Sequence, residues 1–168
     1  MAPFPEIAAA EADLLERLRG CIATIQQIVA TGASDIPAGV ALLRLVRSRA
    51  YEDINQLQHE ALLLEAAARL RTLRPDLVAM SWFWNPSNTG TGKEPDLRIM
   101  SGSEIVVSVE ATASERAIGT ITARLKRTLS KLQDMPGDRF YFVRTQHMLE
   151  AAQREIRLAN YAITPLTI

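Results

Sequence analysis

The chain has 168 residues, 48% of them hydrophobic and 23% charged, which suits one domain with a proper core and is too short for two ordinary domains. Its 19 lysines and arginines balance 19 aspartates and glutamates, so overall charge argues neither for a nucleic-acid partner nor for a membrane surface; a local basic patch stays open. The single cysteine, Cys21, excludes an intramolecular disulfide and suits a reducing compartment.

The opening "MAPFPEIAAAEADLLERL" has no basic n-region, so it does not read as a signal peptide, and no apolar run approaches the roughly 20 residues that span a bilayer. A cytoplasmic protein without a membrane partner is expected. From Ile7 to Val29, apolar residues recur at helical spacing, and Gly32 closes the helix. A second, short helix is predicted to start near Ser34 or Asp35, with Pro37 in its first turn and "VALLRLV" as its body. A third runs from about Asp53 to Arg74, with Asp53 as N-cap, Gln56 three residues on, and Pro75 as the stop.

After Pro75 the period changes. "LVAMSWFW" reads as a strand, followed by the polar, glycine-rich loop "NPSNTGTG", which lacks the Gly-Lys-Ser/Thr ending of a phosphate loop. "PDLRIM" and "EIVVSVEAT" are strands joined as a hairpin by "SGS". A helix from about Ala117 to Gln133, the strand "RFYFVRT", a helix from about Gln146 to Asn160 and the strand "AITPLTI" complete the chain. The order from Asp53 onward, α-β-β-β-α-β-α-β, predicts an α/β fold: a central mixed β-sheet flanked by helices. Residues 1–50 form an N-terminal helical extension and residues 51–168 the α/β core, together one compact unit.

The hairpin sets Asp96 roughly opposite Ser108 to Glu110, while Ile105, Val107 and Val109 point to the other face. Two carboxylates converging on adjacent strands suit a hard divalent cation such as Mg²⁺ (or Mn²⁺). Such an ion polarises a phosphodiester and lowers the pKa of an attacking water. His59 and His147 stand far apart, without the spacing of a zinc site, and Trp82 and Trp84 read as core or interface packing rather than base-stacking residues.

"PDLRIM" followed by "VEAT" resembles the PD-(D/E)XK nuclease signature, in which a Pro-Asp pair on one strand precedes Glu-X-Lys on the next. The resemblance spans about Asp53 to Ile168 and implies a restriction-endonuclease-like α-β-β-β-α-β core and metal-dependent hydrolysis of DNA phosphodiesters. It implies Asp96 and Glu110 as metal ligands and a helical glutamate as assistant. For that last role Glu60 is favoured over Glu65, whose strip reads as a solvated face with Arg69 four residues on. The sequence departs from the signature at the lysine, where Thr112 stands. Thr112 has a second reading, as the cap of a "TASE" capping box. Arg116 and Lys93 are the replacement cations considered. The alternative is a catalytically silent nucleic-acid-binding or assembly module on the same fold.

Arg124, Arg127 and Lys131 share one helix face at i, i+3 and i+7, either as a phosphate-contacting stripe or as a solvated face. The first helices either pad the core or build the two-fold interface of a homodimer.

Overall fold

A computed structural model describes residues 1–86 and 94–168; Lys93 and most of the glycine-rich loop before it lie outside the described residues. Strand β1 (Ala2–Pro3), which the sequence does not announce, is followed by two long helices, α1 (Ile7–Ala30) and α2 (Ile36–Leu73). Asp35 caps α2. Its carboxylate accepts from the Ala38 N–H at 2.8 Å, and Pro37 sits in the first turn, where a missing N–H costs nothing.

The short and long helices expected in this region are one element of 38 residues. Between Val46 and Asp53 the chain offers no glycine or proline to interrupt the hydrogen-bond ladder, and Asp53, read as an N-cap, is an exposed residue of the helix interior. Position 50 therefore lies inside α2, which passes unbroken from the extension into the core. The helix ends where Pro75 forces it to: Arg74 leaves the helical region at φ −133° and ψ 74°.

β1 pairs antiparallel with β2 (Ser81–Trp84). β3 (Leu97–Ser101) and β4 (Glu104–Thr112) extend the antiparallel part, and β5 (Asp138–Val143) and β6 (Thr164–Thr167) continue parallel to β4. The result is one six-stranded mixed sheet in sequence order, with four α-helices, an α/β architecture. The β3–β4 turn needs only Gly102 and Ser103; Gly102 takes φ +59° while Ser103 does not turn positive, the pattern of a type II′ turn that matches strand twist. Helix α3 (Thr120–Gln133) crosses from β4 to β5, and Gly137, at φ +77°, brings the chain against β4. A Cβ there would meet the Val106 backbone at 2.5 Å, so only glycine allows this approach.

Alternation along each strand separates two cores. Val107, Val109 and Ala111 of β4, with Phe140 and Phe142 of β5, face Leu62, Leu63, Ala66 and Leu70 of α2. Tyr141 and Val143 point the opposite way, onto Leu125 and Leu129 of α3 and Met148 and Ala152 of α4 (Gln146–Ala159). Each fully buried leucine contributes roughly 1.5–3 kcal/mol, so the two apolar layers dominate the driving force. Trp82 is a core residue, its indole N–H donating to Leu77 O at 2.9 Å. Helix α1 adds a third layer: Ala10 and Leu14 pack on Leu57 and Leu64 of α2, with Cys21 alongside.

The opposite side of that helical pair stays apolar but uncovered. Leu15, Ile22 and Val29 of α1 and Ile36, Val40 and Leu43 of α2 are exposed. Among the described residues, no helix is long and apolar enough to cross a membrane.

Candidate active site

The alternation that sends Val107, Val109 and Ala111 to α2 sends Ser108, Glu110 and Thr112 to the α3 side. Leu97 pairs with Val109, so Asp96, one step before β3, arrives beside Glu110 and Ala111. The Ala111 N–H donates to Asp96 Oδ2 at 2.8 Å and fixes that carboxylate. Both acids are buried. Burial pushes the Glu110 carboxyl up to about 8, and the neighbouring charge of Asp96 adds to the rise, while Lys131 and then Arg124 pull the other way.

Lys131 reaches down from α3 and places Nζ 2.8 Å from Glu110 Oε1, with its side chain only 18% exposed. The two atoms stand at ion-pair distance without meeting hydrogen-bond geometry. Arg124, one wall of a neighbouring cleft, lends its charge from two turns earlier in the helix. Arg127 is exposed on the outer surface. The three cations read as one stripe are thus divided: Lys131 turns inward, Arg124 faces the cleft and Arg127 faces solvent.

Thr112 is the last residue of β4, and its hydroxyl oxygen accepts from Tyr141 Oη at 2.8 Å. Burial raises the Tyr141 hydroxyl above its ordinary value, so it stays a donor. The capping-box reading of "TASE" is corrected here, because α3 begins at Thr120 behind Gly119, well beyond Glu115. Arg116 lies exposed on the connection between β4 and α3.

Glu60 is buried on α2 and bound to Arg17 of α1, and Gln56 Nε2 also donates to it at 3.1 Å. Glu65 pairs with Arg144 across 2.7 Å, and not with Arg69. The residue of α2 that meets the carboxylates is one the sequence reading set aside: His59. Its Nε2 is buried, makes no hydrogen bond, and lies 3.6 Å from Asp96 Oδ1. A lone histidine on a helix gives no sequence signal of this contact, which is tertiary.

A cleft of about 890 Å³ opens beside these groups, lined among others by Gln56, His59, Thr112, Glu115, Arg124 and Arg144. Its walls mix amide, guanidinium and imidazole groups, a lining that suits an anionic, hydrogen-bonding ligand. Among the described residues, no three histidine, cysteine, aspartate or glutamate side chains gather as a ready-made metal cluster. Comparison with known proteins finds no matching family model, no matching curated protein and no matching solved structure.

Proposed function

We propose that this chain is a divalent-metal-dependent nuclease hydrolysing phosphodiesters, with DNA as its first-choice substrate, on a restriction-endonuclease-like core. One observation carries the reading: buried Asp96 and Glu110 meet on adjacent strands with the Lys131 ammonium 2.8 Å from Glu110. The order α2-β2-β3-β4-α3-β5, three antiparallel strands and then a parallel one, agrees with what the signature-like residues imply.

The donor set fits Mg²⁺ or Mn²⁺. Burial and the neighbouring charge of Asp96 raise the proton affinity of Glu110, a cost that a cation relieves, and the His59 Nε2 beside Asp96 lacks a hydrogen-bond partner. Asp96 and Glu110 would hold the ion, which supplies phosphodiester polarisation and a more acidic water. Lys131 supplies the ammonium that Thr112 does not: standing at Glu110, it would stabilise the negative charge that develops on the phosphate beside the ion. Arg124 holds a phosphate in the cleft, and Arg127 extends the basic surface along α3.

Nicking of supercoiled plasmid in Mn²⁺ tests the proposal. Wild type is expected to nick and Asp96→Ala, shown folded by circular dichroism, to lose all activity; a wild type no better than that blank refutes it.

The second reading, an assembly module, rests on a different surface. Leu15, Ile22 and Val29 are exposed at seven-residue intervals on α1, and Ile36 (84% exposed) and Leu43 (72%) continue the apolar surface on α2. From Gly20 to Leu43 the only charged residue is Asp35. A face this apolar and uncharged suits self-association through a two-fold helical interface. Light scattering at tens of micromolar is expected to show a dimer, and Ile22→Arg combined with Leu43→Arg a monomer; a monomeric wild type refutes the interface. Self-association is compatible with either catalysis or its loss.

A further inference from the structure

The helix preceding the sheet offers the carboxylates a nitrogen as well as an acid, and the two have different fates. Glu60 is occupied: Arg17 and Gln56 both bind its carboxylate. His59, one residue earlier, is not. Its Nε2 is shielded from solvent without a hydrogen-bond partner, and such a bond is costly to leave unmade in the ligand-free protein.

The nearest group is Asp96. Because Oδ2 is held by the Ala111 N–H, the oxygen turned towards His59 is Oδ1, at 3.6 Å. That separation is too long for a hydrogen bond. Neighbouring donors on one octahedral ion, each about 2.1 Å from it, stand about 3.0 Å apart, so the pair needs to close by only about half an ångström to share one. The imidazole also lines the cleft, which brings solvent to the ring's edge.

Resting on the metal-dependent reading above, we infer that His59 Nε2 and Asp96 Oδ1 ligate the same divalent cation, and that this nitrogen makes the site prefer Mn²⁺ to Mg²⁺. The chemistry decides the preference. Magnesium binds almost wholly through oxygen and parts with its waters reluctantly, whereas manganese and later transition ions accept imidazole readily. Glu110, the other carboxylate of that reading, is held by Lys131 in the ion-free protein, so the three donors are not gathered beforehand, and the ion's own waters fill the remaining positions.

The test uses the full chain without nucleic acid. Calorimetric titration with MnCl2 and MgCl2 separately is expected to show wild type binding Mn²⁺ at least about tenfold more tightly. In His59→Ala the two ions should bind within about twofold of each other, through loss of Mn²⁺ affinity alone, and Asp96→Ala should bind neither. Electron spin echo modulation of Mn²⁺ on wild type should reveal a directly coordinated nitrogen that His59→Ala lacks. Equal affinities in wild type, a preference surviving in His59→Ala, or no nitrogen coupling overturns the inference while leaving metal dependence standing. No binding of either ion to wild type overturns both. If His59→Ala does not fold, the echo measurement on wild type decides alone.

Discussion

Lys131→Gln is expected to lower Mn²⁺-dependent plasmid nicking by about 100- to 1,000-fold, the range for removing one preorganised group that stabilises developing negative charge. The large size follows from placement. The ammonium sits 2.8 Å from Glu110 in a site where both side chains are mostly out of solvent, so its charge is poorly screened and no nearby cation occupies the same point. Arg124 is the closest substitute, yet a guanidinium two turns away along α3 acts on Glu110 more weakly than Lys131 does. Arg116→Ala, by contrast, is expected to change nicking by less than about threefold, because Arg116 is exposed on the connection after β4. The reverse pattern, with Arg116→Ala damaging and Lys131→Gln harmless, would remove Lys131 from the site's chemistry. Thr112→Lys is no simple restoration either: it would break the Tyr141 hydrogen bond and crowd a second ammonium into a strand face that Lys131 already serves.

How such a site could be read from sequence depends on whether its contacts are local or tertiary. The β3–β4 hairpin is legible because period-two alternation and a glycine turn are local, but the register shift between Ile99 and Met100, which sets Leu97 against Val109 and so Asp96 beside Glu110, leaves no such mark. The two-residue β1 has no period to detect and owes its place to pairing with β2. Asp53 resembles a cap in sequence, but capping matters only where a helix begins, and nothing before it ends one. The stripe of Arg124, Arg127 and Lys131 is visible as spacing. Which member turns inward depends on how Leu125, Leu129 and Leu132 seat α3 on the sheet, and helical period alone does not fix that rotation. The surroundings of Glu60 and His59 are illegible for the same reason. The partner of Glu60 comes from α1, 43 residues away, and that of His59 from the strand edge at Asp96.

The metal-free protein is expected to lose stability as pH rises from about 5 to 8, and Glu110→Gln to lose most of that slope. Burial, with the charge on Asp96 adding to it, holds the folded-state Glu110 carboxyl near 8 against an ordinary 4.5. Between those two values the folded chain binds a proton that the unfolded chain has released. Stability from this group is therefore complete below about 4.5, falls as pH rises, and is gone above about 8, the reverse of a carboxylate whose pKa is depressed. A difference of this size corresponds to roughly 3–5 kcal/mol, or about 6–20 °C in Tm for a domain of this length. Lys131 works against the effect, because its ammonium favours the carboxylate, but desolvation and Asp96 together outweigh it. Glutamine keeps the shape and removes the titration, yet it also leaves the Lys131 ammonium without its carboxylate, which lowers stability at every pH. The informative quantity is thus the change in slope between pH 5 and 8, taken from thermal unfolding in the presence of a chelator, and not the stability at any one pH. Parallel curves for wild type and variant would mean that Glu110 is ionised throughout, held so by Lys131, and that the pair is a settled ion pair rather than a proton-bearing site.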